Sequence, residues 1–187
     1  MLSIQFTPFP VLHTARLVLR QLTASDAGAM QFFRADPEFL RYIPRTPEPT
    51  LAQAQQHMQL LEELLGRNEA ITWGLSLPAQ PALLGTICLW NLQPAHYRAE
   101  IGYGLHPSYS RQGLMGEALG AVVQFGFETL KLHSLEARLD PENAASIRLL
   151  EKHHFRREGY FRENCYFQQQ FLDTVVYTLL ASATSVP

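Results

Sequence analysis

The sequence predicts a single α/β domain, and three observations support this prediction. The chain has 187 residues, close to the ~150 residues that are typical of one domain. Hydrophobic residues make up 47% of the chain and charged residues 17%, which is enough apolar material for a core and too much for a disordered protein. Segments with two-residue and helical periodicity alternate along the chain, and no repeat or low-complexity linker divides them.

In the first half of the chain, residue alternation and capping residues define the elements. Charged and apolar residues alternate in a first strand, and two later stretches begin with Thr, Ser or Asp residues that can cap helices. Prolines between the two helices require a loop, and a proline-containing turn joins the next two strands. The predicted elements are a strand at Arg16–Arg20, a helix from Thr23–Asp26 to Phe33, a loop at Ile43–Pro49, a helix from Thr50 to Leu65 that Gly66 ends, and strands at Ala70–Leu77 and Leu83–Leu92.

The second half contains a helix that is apolar on most of its surface, so we expect this helix to pack on a sheet. The elements predicted here are strands at Ala99–Leu105, Leu135–Leu139, Phe155–Arg162 and Asp173–Leu180, and helices at Gly113–Leu130 and Asn143–His153. The order is therefore β-α-α-β-β-β-α-β-α-β-β. We expect an N-terminal arm at residues 1–13, one domain at 14–181 and a free tail at 182–187.

Composition and charge exclude several classes of protein. The formal net charge is -2, so the chain lacks the basic excess of a nucleic-acid-binding protein. Its seven histidines form no HExxH motif and no His/Cys cluster at ligand spacing, so we expect no metal. Cys88 and Cys165 form neither a CxxC pair nor a disulfide framework, which is compatible with a reducing cytoplasm.

We expect neither a secretion signal nor a membrane partner. Met1–Pro10 contains two prolines and no Lys or Arg, unlike a signal peptide. Ile71–Tyr97 contains no Asp, Glu, Lys or Arg, but Pro, Asn and Gln residues interrupt it. A spanning helix needs ~20 predominantly apolar residues, so this segment is interpreted as two strands joined by a turn. The predicted location is the cytoplasm.

The segment Ser108–Gly116 is the most distinctive candidate site. It connects a strand to a buried helix, where a glycine-containing turn presents unpaired N–H groups at the positive end of the helix dipole. This arrangement suits a phosphate or pyrophosphate, and Arg111 adds a positive charge. With only Gly113 and Gly116, the segment matches neither the Walker loop nor GxGxxG. The alternative interpretation is an ordinary tight connection.

The preceding strand, Ala99–Leu105, contains a candidate general base. By strand alternation Glu100, Gly102, Gly104 and His106 share one face. The two glycines leave an unfilled strip of sheet, which we expect a close ligand or a neighbouring backbone to occupy. Glu100 lies at the end of this strip. The alternative is a solvent-facing glutamate on a half-exposed strand.

The residues Asp140–Ser146 open the next helix. Asn143 is a good N-cap, and Ser146 occupies the third helical position. The functional interpretation is that the Asn143 amide and the Ser146 hydroxyl point into the cleft beside the Gly113 turn. The alternative is that both residues only cap the helix.

Several motifs together resemble one known family, the GNAT N-acetyltransferases. The RimJ/RimL branch, which acetylates protein N-termini including those of ribosomal proteins, is the most similar. The resemblance covers Thr14 to Leu180, and one departure is His154, where the family usually has glycine. The motifs are Arg16-Leu-Val-Leu-Arg20, Ala99-Glu-Ile-Gly-Tyr103, Gln112-Gly-Leu-Met-Gly-Glu-Ala-Leu119, Asn143-x-x-Ser146-x-x-Leu-Leu-Glu-Lys152, Phe155 and Glu158-Gly159.

This resemblance implies a fold and a co-substrate. The fold is a mixed, mostly antiparallel sheet with helices on both faces, splayed between the strands at Ala99–Leu105 and Leu135–Leu139. The co-substrate is acetyl-CoA, bound in the gap. By family position, the backbone of Leu105 binds the pantetheine arm, and Asn143 contacts the pantetheine or the acetyl end. The pyrophosphate is held by Arg111, Gln112, Gly113, Leu114, Met115 and Gly116.

The resemblance also implies direct transfer of the acetyl group to a primary amine. RimL-like members use a glutamate in the late hairpin, but ungapped placement puts Cys165 there and leaves Glu163 out of register. Glu100 is therefore the candidate base. Ser146 is the candidate that protonates the CoA thiolate, with Tyr103 or Tyr160 in reserve.

Three functions compete at this stage. The first is acetylation of a protein N-terminal α-amine, and the second is acetylation of a small amine such as a polyamine or an antibiotic. The third is an acyl-CoA-binding module without catalysis. We expect the loop Arg41–Pro49 and the hairpin around Tyr166–Phe171 to form the acceptor wall, and a monomer or a homodimer are both compatible with the sequence.

Overall fold

The computed structural model describes residues 2–184, so the last part of the predicted tail, 185–187, lies outside the described residues. The strands are β1 (Leu12–His13), β2 (Val18–Arg20), β3 (Ile71–Leu77), β4 (Gln80–Gln93), β5 (Arg98–Leu105), β6 (Ser134–Leu139), β7 (Arg156–Phe167) and β8 (Gln170–Leu180). The helices are α1 (Ala27–Ala35), α2 (Leu51–Gly66), α3 (Leu114–Gln124) and α4 (Ala144–Lys152). No helix in this part of the chain is long and apolar enough to cross a membrane.

All eight strands form one sheet, in the order β1-β2-β3-β4-β5-β6-β8-β7. Every pairing is antiparallel except that of β5 with β6, which is parallel. The parallel pairing covers only Arg98–Ser134, Ala99–Leu135 and Glu100–Glu136. Beyond Glu100 the two strands diverge, which confirms the predicted mixed sheet and its splay.

Helices cover both faces of this sheet. On one face, α3 and α4 pack on buried strand residues such as Ile101 in a large core. There Gly116 of α3 faces His153 and Leu149, and a Cβ added at Gly116 would make an ordinary contact with them. On the other face, α1 and α2 form a smaller cluster that includes Phe33 and Phe39. The gap between β5 and β6 therefore has a different set of helices on each side.

The N-terminal arm is part of the folded domain. Phe6 is 1% exposed, and the Trp73 indole N–H donates to the Pro10 carbonyl over 2.7 Å. The arm then adds β1, a two-residue strand that the sequence did not predict. At the other end, Ala181–Thr184 forms a 3₁₀ turn, and the Ala181 N–H donates to the His133 carbonyl over 2.9 Å.

The predicted elements are present, and several differ in their bounds. The strand predicted from Arg16 begins at Val18, because the backbone N–H groups of residues 16 and 17 bond to side-chain oxygens. The long apolar helix is α-helical only to Gln124 and then forms a π-helical turn, Phe125–Thr129. The strand β7 extends five residues beyond its predicted end at Arg162, through an irregularity in its pairing with β8.

The departure at His154 has a structural consequence at the end of α4. Phe155 N donates to Leu150 O and His154 N to Glu151 O, both at 3.0 Å, which are the two bonds of a Schellman motif. The residue at its centre must be left-handed, and His154 has a φ of 66°. Leu150 and Phe155 are buried and close the motif as its apolar pair. A histidine thus occupies a position that glycine adopts at lower cost.

We expect His154→Gly to raise the free energy of unfolding by about 0.5–1 kcal/mol, because glycine removes the left-handed penalty but adds freedom to the unfolded chain. The matched control is Lys152→Gly, an exposed position in the last turn of the same helix. This control should lower the unfolding free energy by about 0.5–1 kcal/mol. Urea titration measures both, and equal destabilisation by the two substitutions would contradict the left-handed strain.

Candidate functional site

The gap between β5 and β6 exposes backbone groups on β5. The His106 N–H donates to the Leu84 carbonyl of β4 over 2.7 Å. Strand alternation then turns the N–H and C=O groups of Tyr103 and Leu105 toward β6. Since pairing with β6 stops at Glu100, these groups have no strand partner in the described part of the chain. They can bond an extended ligand that carries its own amide groups, and Leu105 is the residue predicted to bind pantetheine.

The turn at the start of α3 presents a row of backbone N–H groups that have no partner within the helix. Gly113 is the N-cap with a φ of 79°, a left-handed conformation that favours glycine, and Arg111 before it has a φ of 61°. The Glu117 N–H donates to the Gly113 carbonyl over 3.2 Å, in the hydrogen bond that starts the helix. The N–H groups of residues 113–116 precede that bond and lie at the positive end of the helix, where anions bind.

The side chains of this segment take different positions. Arg111 is exposed at the turn, and the Gln112 amide donates to the Ser108 carbonyl over 3.2 Å. Leu114 and Met115 are buried in the core. Any contact of these two residues with an anion would therefore use their backbone N–H groups.

Arg16 reaches the same turn from the segment before β2. Its Nη2 lies 3.3 Å from the position that a Cβ would take at Gly113. Its Nε pairs with Glu117 Oε1 at 2.5 Å, and Thr14 Oγ1 donates to Glu117 Oε2 at 2.8 Å. These bonds fix a second positive charge at the N-terminus of α3. This contact was not predicted from the sequence, although Glu117 in the first turn of α3 is a possible partner for a basic residue.

Glu100 lies where β5 and β6 diverge, on the face that α1 and α2 cover. Its side chain is buried, at 7% exposure, and burial raises the pKa of its carboxyl. Arg138 and Arg98 act against this rise, while the neighbouring Glu136 adds to it. Glu136 itself pairs with Arg98 and lies 3.6 Å from Arg138. A buried carboxylate with a raised pKa has the properties of a general base near neutral pH.

Asn91 holds the Glu100 carboxylate in place. Its amide donates a hydrogen bond to the Glu100 side chain, which favours the charged form and lowers the pKa. Asn91 has a φ of 46° and lies in a bulge of β4, where the pairing with β5 shifts between Trp90 and Gln93. The bulge turns the amide toward Glu100. Nothing in the local sequence indicated this pairing.

Side chains fill the strip of sheet beside Glu100, where the sequence predicted a close ligand or a neighbouring backbone. A Cβ on Gly104 would lie 2.4 Å from the ring of Phe39, which follows α1. A Cβ on Gly102 would lie 3.2 Å from Cys88 Sγ. The two glycines therefore let side chains from β4 and from the α1–α2 connection approach β5 closely.

Tyr103 and Ser146 lie together on the opposite face of the gap. Ser146 forms a side-chain hydrogen bond with the Tyr103 hydroxyl, and burial raises the pKa of Tyr103 to about 12. Asn143 caps α4, because its Oδ1 accepts from the Ser146 backbone N–H at 3.1 Å. The cap uses the backbone of Ser146 and leaves its hydroxyl for Tyr103. The structure thus brings the predicted acid and one of its two reserves into contact.

The late hairpin holds the other candidates. Tyr160 lies on β7, with β8 between it and β6, and its hydroxyl donates to Asp173 at 2.5 Å. Glu163 lies in the irregular part of β7, where its backbone N–H bonds to Asp173. Cys165 pairs with Leu172 of β8. Among residues 2–184, no group of three or more His, Cys, Asp or Glu residues is arranged to hold a metal ion.

The arrangement therefore combines three features. N–H groups without helical partners lie at the start of α3, a buried carboxylate lies at the fork of the strands, and a hydroxyl pair lies on the opposite face. A ligand with a phosphate at one end and an amide-bearing arm fits this gap. A reaction that removes a proton on one face and supplies one on the other fits its side chains.

Comparison with known proteins identifies the family. The model of the GNAT acetyltransferase domain matches residues 16–156. The uncharacterized N-acetyltransferase YoaA of Bacillus subtilis is 36% identical over 172 residues, which is 92% of this chain and 97% of YoaA. The ribosomal protein uS5-alanine N-acetyltransferase of Escherichia coli is 26% identical over 176 residues, covering 90% of this chain and 89% of that protein.

The fold agrees with a solved structure. RimL, a ribosomal L7/L12 α-N-protein acetyltransferase solved with coenzyme A, superposes with a TM-score of 0.81 at 21% sequence identity, over 91% of this chain and 98% of RimL. The family match spans most of the chain and includes the splayed strands and the α3 turn. This chain is therefore an acyltransferase that belongs to the GNAT family of N-acetyltransferases.

Proposed function

We propose that this chain transfers the acetyl group of acetyl-CoA to the α-amine of a protein N-terminus. The observation that carries the proposal is the gap itself, with a buried carboxylate on one face and a hydroxyl pair on the other. Two of the similar proteins acetylate ribosomal-protein N-termini or alanine of a ribosomal protein, according to their names. This chain shares the fold of RimL.

Acetyl-CoA would bind along β5. Its pyrophosphate would accept bonds from the N–H groups of residues 113–116 and would lie beside the guanidinium groups of Arg16 and Arg111. The open N–H and C=O groups of Leu105 and Tyr103 would bond the pantetheine amides. This places the thioester toward the fork at Glu100, and Asn143 would lie beside the arm.

The transfer step needs a neutral amine. An N-terminal amine has a pKa near 8 and a lysine amine ~10.4, so a terminal amine demands less from the base. Glu100 takes the proton as the amine nitrogen bonds to the thioester carbon. A backbone N–H on the open edge of β5 holds the oxyanion. When the C–S bond breaks, the Ser146–Tyr103 pair supplies a proton to the thiolate.

A thiol-release assay tests the proposal as a whole. Acetyl-CoA is supplied with a panel of N-terminal peptides and small amines, and free CoA is measured. We expect free CoA to be released with peptides, and mass spectrometry to show that their α-amines are acetylated. Binding of acetyl-CoA without release for any amine would instead favour a non-catalytic acyl-CoA-binding module.

The anion site is tested by Gly113→Asp, which puts a carboxylate where the pyrophosphate would lie and gives Arg16 a competing partner. We expect CoA affinity, measured by calorimetry, to fall at least tenfold, since each 1.4 kcal/mol lost is a factor of ten. Gly113→Asn is the matched control, because asparagine has the same size and tolerates left-handed φ. It should lose clearly less affinity than Asp. Equal affinity of wild type and Gly113→Asp, with the fold intact, would remove this assignment.

The base is tested by Glu100→Gln, which keeps the side-chain shape and removes the proton acceptor. We expect the rate to fall by ~10²–10⁴-fold and to recover in part at high pH, where more of the amine is already neutral. Because the pKa of Glu100 is raised, we expect kcat/KM of the wild type to fall as the pH drops through this pKa. This acid limb of the profile should lie at a higher pH than an ordinary glutamate would give. That limb should be absent from the variant.

Glu136→Gln is the control for Glu100, because Glu136 is the residue opposite on β6. Removing its negative charge lowers the pKa of Glu100, so the acid limb should move to lower pH while turnover stays within about tenfold. Wild-type turnover of Glu100→Gln across the whole pH range would show that Glu100 has only a structural role.

The proton donors are tested by Ser146→Ala, Tyr103→Phe and the double variant. Each single variant should lower turnover while acetyl-CoA affinity changes by no more than a few fold. The double variant should lose little more than the worse single variant, because groups that act as a unit are not additive. Ser146→Ala keeps the cap of α4, which uses the backbone N–H. Normal turnover of Ser146→Ala would therefore exclude the hydroxyl from catalysis.

A further inference from the structure

The face of the sheet that carries Glu100 is covered by helices over only part of its width. On this side α1 and α2 pack in a cluster whose strand member, among the described residues, is Leu83 of β4. β6, β8 and β7 contribute no residue to that cluster, so α1 and α2 leave their part of the face uncovered. We call this part the β6–β7 strip, and its residues are Glu136, Arg138 and Phe161.

Strand register places the strip directly beside the candidate base. Glu136 pairs with Glu100 in the last rung of the parallel ladder, so the two side chains share a face. Arg138 lies two residues further along β6 and shares that face as well. Its Nε is 3.6 Å from Glu136 Oε1, which confirms this placement. The strip therefore begins at the fork of the strands.

On the opposite side of Glu100, toward β4, the face is closed. The ring of Phe39 lies 2.4 Å from the position that a Cβ would take at Gly104. The loop between α1 and α2 is tied to α1, because Arg34 Nε pairs with Glu48 Oε2 at 2.7 Å. An acceptor with its amine at Glu100 therefore has room to continue toward β6 and β7.

Trp90 presents an exposed ring next to Glu100. The two residues pair directly between β4 and β5, and Trp90 is 46% exposed. Its indole Nε1 lies 3.6 Å from the position of a Cβ at Gly102, so the ring extends along the face beside the base. Tryptophan offers a large, rigid contact surface and is a common anchor in binding sites. Trp90 is therefore suited to hold the first side chain of an acceptor.

Arg138 has unused hydrogen-bond donors. Glu136 Oε2 accepts from Arg98, and the 3.6 Å contact of Arg138 with Glu136 Oε1 is too long for a hydrogen bond. Arg138 donates no hydrogen bond within the described part of the chain, and its side chain is 44% exposed. A guanidinium group carries five N–H donors in a rigid fork. These donors can bond the carbonyl oxygens of a peptide backbone.

The charges around the fork are balanced. Glu100 and Glu136 are negative, and Arg98 and Arg138 are positive. The strip therefore has no net attraction for a polyamine or for an anionic acceptor. A neutral chain of amide groups fits this balance, because its carbonyl groups can accept from Arg138 and its N–H groups can donate to Glu136.

Phe161 forms the far end of the strip on β7. It is 46% exposed, and the centroid of its ring lies 5.9 Å from the Arg138 guanidinium carbon. A Cβ on Gly159 would lie 2.9 Å from the ring, so the glycine lets Phe161 lie against the sheet. Three strand spacings of ~4.8 Å separate β5 from β7, and an extended chain at ~3.3 Å per residue crosses them in about four or five residues.

We propose that the acceptor is a peptide that lies extended across the β6–β7 strip, with its terminal amine at Glu100. Its first side chain packs on Trp90, and its backbone carbonyls bond to Arg138. Its fourth or fifth residue contacts Phe161. The inference rests on the proposed acetyl transfer to a protein N-terminus and goes beyond it, because it assigns the surface that recognises the chain behind the amine. A free amino acid or a polyamine would leave most of this surface empty.

Peptides of increasing length test this inference in the full-length enzyme. Peptides of two, four, six and eight residues share one sequence without charged side chains and end in an amide, so they differ in length and not in charge. We expect kcat/KM to rise about tenfold or more between two and six residues, because loss of an anchoring contact commonly weakens binding by this factor. From six to eight residues kcat/KM should stay level.

Variants assign the length dependence to the strip. Phe161→Ala should lower kcat/KM of the six-residue peptide about five- to tenfold, through KM, and leave the two-residue peptide unchanged. Arg138→Gln should also affect the longer peptide more. Its rates are compared above the acid limb, because the Arg138 charge lowers the pKa of Glu100. Trp90→Ala should weaken peptides of every length.

Leu60→Ala is the matched control, because Leu60 of α2 is an apolar side chain with the same 46% exposure as Phe161. It should leave the length dependence intact. Melting temperatures show whether each variant still folds, and size-exclusion chromatography reports its oligomeric state. A changed oligomeric state in Phe161→Ala, with the length dependence kept, would assign this ring to a contact between copies of the chain and overturn its role with the acceptor.

The outcomes separate this inference from the proposed function. Equal kcat/KM at all lengths, or a length dependence that survives both Phe161→Ala and Arg138→Gln, would overturn the inference while CoA release still supported transfer to a terminal amine. Absence of CoA release with every amine would overturn the proposed function and this inference with it.

Discussion

The separation of β5 from β6 is the constraint on which the rest of the structure depends. Three residue pairs hold the strands together, and beyond Glu100 each strand loses its partner on that side. Open backbone groups in a protein interior are costly unless something bonds them. The domain concentrates this cost in one gap, on which the start of α3 and the start of α4 converge. A ligand whose arm carries amides can meet the bonding needs of β5 and in turn is held in a single orientation.

The two faces of the gap differ in their electrostatics. On the face of α1 and α2, Glu100 is a buried carboxylate whose pKa burial raises, and the arginines around it and the Asn91 amide limit that rise. On the face of α3 and α4, the partly buried Tyr103 hydroxyl is protonated at neutral pH, because burial raises its pKa to about 12. One face thus holds a carboxylate that can accept a proton, and the other holds a hydroxyl that is protonated at neutral pH. The thioester would lie between them, so both proton transfers could occur without movement of a helix.

The sequence predicted the parts of the fold that depend on local pattern. Alternation located β3 to β6, Thr50 marked the start of α2 and Asn143 that of α4, because strand period and capping are properties of neighbouring residues. β1 escaped prediction because a two-residue strand has no period. Three contacts were not predicted for another reason. They are those of Arg16 with Gly113, of Asn91 with Glu100 and of Arg34 with Glu48. Each depends on strand register or on helix packing between residues that no local pattern relates.

Glu100 and Tyr103 come from the same strand, three residues apart, and an odd spacing in a strand sends two side chains to opposite faces. This spacing has an evolutionary consequence. Inserting or deleting one residue between them would turn both side chains toward the same face. The acid and the base, and with them the cofactor and the acceptor, would then no longer lie on opposite faces of the sheet. The loops on the α1–α2 face are under no such restriction. A lineage can therefore exchange one acceptor for another by changing loop length and charge, while the odd spacing of Glu100 and Tyr103 on β5 is kept.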